Sequence, residues 1–170
     1  MFKRILLISA VAATLSLALP SAQAAVSSVQ ASDGAVLTVS KASAIKSGDL
    51  LTITGTHFDE TIGIYVAMCK VVVKTELPTP CGGGIDKTGA SKSSIWISSN
   101  APLYGKGLAR PYEAGGRFKV AIKVSPIIKV PTKTVDLDCR KIACAIYVRA
   151  DHLRTDDRTR DMYIPLTFKK

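Results

Sequence analysis

The residues of this chain that could do chemistry are few. Histidine occurs only at His57 and His152, so a Ser-His-Asp or Cys-His catalytic set has few ways to form. His152 lies in Arg149-Ala150-Asp151-His152-Leu153-Arg154-Thr155-Asp156-Asp157-Arg158, where acids and bases alternate. Such a stretch either presents a metal or haem ligand beside carboxylates or closes a hairpin through Arg–Asp pairs, and the hairpin is the expected role. Exposed pairs contribute under about 1 kcal/mol each, but a network of them defines a loop's shape. His57, beside Phe58 at a strand end, is expected to serve a turn. The inventory contains no catalytic constellation, so the chain is read as non-enzymatic, with no cofactor and no metal.

Two further features bear on ligand contact. Cys81-Gly82-Gly83-Gly84 places Gly82 and Gly83 beside a cysteine, where glycine either lets backbone approach a ligand closely or turns the chain. The segment is not a phosphate loop, because Gly84 and Gly89 are followed by Ala90 where that motif needs lysine. Trp96, Tyr65, Tyr104, Tyr112, Tyr147 and Tyr163 could wall a site for a hydrophobic ligand. Trp96 fits a core or a cleft edge equally well. Tyr104 and Tyr112 lie in a Gly/Pro-rich segment and are the better candidates, since ligand contacts concentrate in loops on a rigid scaffold.

These residues have to be positioned by an exported chain. Lys3-Arg4, an apolar run over residues 5–19 and Ala22-Gln23-Ala24 before Ala25 form a secretory leader over residues 1–24, too short to be a stable membrane span. Residues 25–170 are then one domain's worth of chain. The destination is outside the membrane, secreted or wall-associated. In that oxidising setting Cys69, Cys81, Cys139 and Cys144 are expected as disulfides. Three connectivities are open to four cysteines, and proximity favours Cys69–Cys81 with Cys139–Cys144, each short loop contributing roughly 2–3 kcal/mol. A zinc site is disfavoured, as no Cys-x-x-Cys pair exists. The formal charge is +10, and without Lys3 and Arg4 the mature chain keeps 21 Lys+Arg against 13 Asp+Glu, a net +8. That balance suits a solubilising surface or an anionic wall polymer. Nucleic acid is not expected as a partner, because the lysines are dispersed and form no basic stripe interleaved with aromatics.

The mature region shows period-two alternation broken by turn residues. Strands are expected at residues 35–40, 50–54, 62–73, 94–98, 118–124, 143–149 and 161–168. In the third, Ile64, Val66 and Met68 share one face and Tyr65, Ala67 and Cys69 the other. Residues 100–116 read as an irregular excursion. Seven short strands with uneven connections indicate an all-β, seven-stranded antiparallel immunoglobulin-like sandwich with two short-range disulfides.

Four blocks carry a likeness: Gly48-Asp49-Leu50 through Thr54-Gly55-Thr56-His57-Phe58; Ile64-Tyr65-Val66-Ala67-Met68-Cys69 with Cys81 after a hairpin; Leu137-Asp138-Cys139 with Cys144; and Pro165-Leu166-Thr167-Phe168. With them the chain resembles the neocarzinostatin-type apoproteins, small secreted immunoglobulin-like carriers of actinobacteria. That resemblance implies a cleft beside the sheet, floored partly by the mid-chain disulfide, holding a bulky apolar molecule; Cys69 and Cys81 carry over as cleft-lining positions. The chain departs from those acidic carriers in its positive charge, its excursion at 100–116 and its Arg/Asp-rich loop after Arg149. Gly63 to Cys69 and Asp151 to Arg158 also resemble an exported module found beside haem-transport-associated domains, which implies a haem-uptake accessory role instead, while the positive charge suits a wall-associated structural or adhesive domain. The expected function is a secreted binding module, with Cys69, Cys81, Gly82, Gly83, Trp96, Tyr104 and Tyr112 as ligand-binding candidates.

Overall fold

A computed structural model describes residues 25–83, 88, 90–130 and 135–170; residues 1–24, expected as a leader, and Gly84 and Gly89 lie outside them. Among the described residues the alternating segments form ten strands: β1 (Ser27–Gln30), β2 (Val36–Val39), β3 (Leu50–Thr56), β4 (Ile64–Lys70), β5 (Ser94–Ile97), β6 (Phe118–Lys123), β7 (Ile127–Ile128), β8 (Leu137–Asp138), β9 (Cys144–Ala150) and β10 (Met162–Leu166). Two four-stranded antiparallel sheets, ordered β1-β2-β3-β6 and β10-β9-β4-β5, make the sandwich, and β7 and β8 form a small ribbon.

Alternation decides which face each strand buries. In β6, Phe118, Val120 and Ile122 turn inward while Lys119, Ala121 and Lys123 stay in water. Leu37, Val39, Leu51 and Ile53 join them from the first sheet; Ile64, Val66, Ile95, Ile97, Ile146, Val148 and Ile164 close the core from the second. Each such aliphatic side chain contributes roughly 1.5–3 kcal/mol of burial. The three strands beyond the expected seven are β1, β7 and β8. β1 reads Ser27-Ser28-Val29-Gln30, too polar for the pattern, and is recruited as an edge by register with β2, with Ser28 Oγ 2.8 Å from Thr38 Oγ1. β4 ends at Lys70, three residues short of its expected end, because beyond Cys69 the chain folds back to Cys81. Pro165 sits in β10, an edge strand, where its missing N–H costs least.

Both disulfides form in the expected pairs, Cys69–Cys81 and Cys139–Cys144. The second closes the turn from β8 into β9. The excursion holds a 3-10 turn, Leu103–Gly105, then returns along the free edge of β5, where Arg110 N–H donates to Trp96 O at 2.9 Å and Ser98 N–H to Arg110 O at 2.8 Å. Its next aromatic, Tyr112, enters the core against Phe118.

Two glycines end the excursion. Gly116 has φ +62°, and a Cβ there would lie 1.9 Å from Phe58 O, whereas Gly115, at φ +82°, has open space around it. The β9–β10 connection is tied by Arg158, which donates to Asp161 Oδ2 at 2.9 Å and to Thr155 O at 2.7 Å. Arg160 reaches across to Asp33 in the β1–β2 turn. The Asp161 side chain is 7% exposed, and burial raises its pKa to about 6 against the partial relief given by Arg158 and Arg149.

These features give two predictions. Gly115→Ala should cost about 1 kcal/mol, the left-handed penalty alone, while Gly116→Ala should cost about 3 kcal/mol, because the strain adds to a clash with backbone. Equal losses in urea unfolding would show that close approach to Phe58 does not constrain the turn. The Asp161 carboxyl should titrate near pH 6 by carbon-detected NMR. Its folded pKa lies above the unfolded value, so the folded state holds this proton more tightly: the stabilisation is fully present below about pH 4 and is lost as pH rises through 6. A midpoint below 4 would contradict this.

Candidate functional site

The period-two rule leaves the second sheet with an outer face, and the register sorts that face into rows. Trp96 on β5 pairs with Tyr65 on β4, and Tyr65 with Arg149 on β9. The next row runs Ser94, Ala67, Tyr147, Tyr163. The third runs Cys81, Cys69, Ala145, Pro165. Large aromatic side chains therefore flank two small residues, Ala67 and Ala145, with the disulfide alongside.

His152 lies at the centre of the aromatic end. Its Nδ1 is 2.5 Å from Tyr65 Oη and its Nε2 2.8 Å from Tyr104 Oη. Both ring nitrogens are thereby engaged by phenol hydroxyls, which can donate or accept. Trp96 meets the imidazole edge-on at 5.0 Å, and Tyr104 stacks on Trp96 at 6.5 Å. Beneath them Asp151, 1% exposed, accepts from Trp96 Nε1 at 2.9 Å and from Leu153 N–H at 3.0 Å. Gly63 makes room for that carboxyl, since a Cβ there would stand 2.0 Å from Asp151 Oδ2. Gly105 lets the 3-10 turn rest on the indole, its own Cβ position being 2.5 Å from the Trp96 ring. The Arg149 guanidinium lies 5.1 Å from the centroid of the Tyr65 ring. Burial raises the Tyr65 phenol, helped by Asp151, and lowers Arg149, helped by Arg158.

At the other end, Ala67, Cys69, Ala145 and Tyr147 form a second apolar cluster with Val71 and Cys81 packed against it. Tyr147 stacks on Tyr163 at 4.9 Å and accepts from Val72 N–H at 3.4 Å. These contacts keep the floor covered, and Ala145 is fully buried. Around this face the exposed apolar groups are Tyr104 and Leu153 beside His152, Leu103 next to Tyr104 in the chain, Tyr163 on the edge strand, and Val73 and Leu77 in the loop joining Cys69 and Cys81.

The structure thus brings Trp96, Tyr104, Cys69 and Cys81 onto one face. Gly82 and Gly83 follow the disulfide: Gly82 N–H donates to Met68 O at 2.7 Å, and Gly83, at φ +83°, turns against Ser93. Tyr112 stands apart. Its hydroxyl donates to Ile62 O at 3.0 Å, its ring packs on Phe118, and burial raises its pKa. Tyr112 is therefore a core residue on the far side of the sheet. Sequence reasoning gave no site role to Arg149 or Asp151 and read His152 as part of a hairpin. Alternation of Ala145, Tyr147 and Arg149 along β9 was the available signal for Arg149. A separate depression lined by Ser47, Ser91, Ser93, Lys123 and Ser125 is polar and holds none of the expected site residues. Among the described residues no group of three or more His, Cys, Asp or Glu side chains is placed to hold a metal.

No family model and no curated protein matches the sequence. Among solved structures the chain is similar to macromomycin, at 16% identity over 80% of this chain and 100% of that one, with a TM-score of 0.52. It also aligns with apokedarcidin, at 15% identity over 79% and 98% of the two chains, with a TM-score of 0.46. At such identities the likeness is one of fold. Two antiparallel sheets face to face, two short-range disulfides and the match to the whole of macromomycin give this chain the neocarzinostatin-type, immunoglobulin-like sandwich.

Proposed function

We propose that this chain is an exported, non-enzymatic binding module that takes a bulky apolar small molecule on the outer face of the β10-β9-β4-β5 sheet. The observation that carries this reading is the aromatic group Tyr65, Trp96, Tyr104 and His152, held in register beside the small residues Ala67 and Ala145. Such a surface offers π faces and a few fixed hydrogen-bonding groups, the usual make-up of a small-molecule site. The exposed rim of Leu103, Tyr104 and Leu153 supports the same reading, because clustered exposed apolar groups mark contact surfaces. The carrier role implied by the sequence resemblance agrees with it. Two formed disulfides support an oxidising destination for the domain. Tyr147 and Val71 cover the floor beside Cys69, so a bulky ligand entering there displaces the Tyr147–Val72 contact, while the Trp96 end is already lined.

The lone tryptophan reports on this face. N-phenyl-1-naphthylamine should quench Trp96 emission saturably. Tyr104 is 64% exposed but bonds His152 and stacks on Trp96, so Tyr104→Ala should lower the melting temperature only slightly while weakening the probe about fivefold, the loss of roughly 1 kcal/mol of aromatic contact. Linear, unsaturable quenching, or equal affinity in the variant, would refute the assignment.

A further inference from the structure

We propose that the molecule taken by this face carries an acidic group, a carboxylate or another oxyanion, and that Arg149 holds it. The inference rests on the binding face described above and adds the charge of its ligand.

Arg149 projects from β9 to the outer face, in the same row as Tyr65 and Trp96. None of the five ion pairs among the described residues uses it. Its one side-chain hydrogen bond runs from Nη1 to the carbonyl of the next residue, Ala150, at 3.4 Å, the long end of the range. The two carboxyl groups that act on it electrostatically are Asp161 and Asp151, and neither forms a hydrogen bond or ion pair with it, although Asp161 Oδ1 is buried without a hydrogen-bond partner. Asp161 Oδ2 takes Arg158 at 2.9 Å. Asp151 takes Trp96 Nε1 and Leu153 N–H.

A guanidinium has five N–H donors in a fixed fork. Stacking over Tyr65 uses its face, and the long Ala150 contact engages one Nη1 proton, which leaves the rest of the fork for a ligand. Arg149 is partly buried and bears a desolvation cost, which a bidentate oxyanion would offset better than water does at such a site. Its position one strand spacing from Tyr65 and two from Trp96 fits a flat body against the aromatic row with the acid at its end. The mature chain's net +8 raises the encounter rate for such a ligand without choosing its place.

Two probes sharing one ring system separate this claim from the one it rests on. N-phenyl-1-naphthylamine is neutral, and 8-anilinonaphthalene-1-sulfonate is nearly the same molecule with a sulfonate. The folded protein should bind the sulfonate at least about tenfold more tightly at low salt. Arg149→Met should erase that preference by weakening the sulfonate far more than the neutral probe, and Arg149→Lys, which keeps charge but loses the fork, should restore part of it. Lys119→Gln, on the opposite sheet, should leave the preference intact. Equal binding of both probes by the unaltered protein overturns the proposal without need of any variant. So does a preference that survives Arg149→Met, or one that Lys119→Gln removes equally. Binding of neither probe overturns the binding-face reading as well.

Discussion

A carboxyl group taken almost completely out of water needs partners for both oxygens, and the arrangement around Asp151 follows from that need. One partner is Trp96 Nε1 on β5 and the other is Leu153 N–H at the start of the β9–β10 connection. Satisfying it fixes the indole against the sheet, which gives the 3-10 turn at Gly105 a surface to rest on. It also sets the backbone of His152, whose ring then reaches Tyr65 on the sheet and Tyr104 on the excursion. Gly63 belongs to the same constraint, since any side chain there would occupy the space of the carboxyl oxygen. Three segments distant in sequence are thereby held as one surface.

The sandwich beneath has a different origin. Its core is built by alternation, and so most of it was legible in the residues: the strict pattern of β6, the two faces of β4 and the two cysteine pairs. The parts that escaped are set by pairing and not by composition. β1 is polar and becomes a strand because β2 offers it an edge. β7 and β8 have two residues each, too few to show a period.

The site was legible in parts for the same reason. Counting alternate positions put Tyr65, Ala67 and Cys69 on one face of β4, but left Trp96 open between core and cleft edge. That His152 meets Tyr65 depends on the register of β4 with β9, which pairs Tyr65 with Arg149 and cannot be read from either strand alone. Tyr112 shows the reverse. Its Gly/Pro-rich surroundings suggested a contact loop, but the excursion returns along β5, and Tyr112 N–H donates to Ser99 Oγ as the ring turns into the core.

The resulting face has two unlike ends: an aromatic end pinned by hydrogen bonds, and an apolar floor beside the disulfide covered by Tyr147 and Val71. Its position across strands β5, β4 and β9 makes it rigid, and its rim loops supply the exposed groups. The most direct test is a proton–nitrogen correlation spectrum recorded while N-phenyl-1-naphthylamine is added. The account requires the Trp96 indole resonance and the backbone signals of Tyr65, Ala67, Arg149 and His152 to shift together and saturate, with Thr54 and Lys119 on the other sheet unmoved. Shifts centred on the β3–β6 face, or on Tyr112 alone, would contradict it.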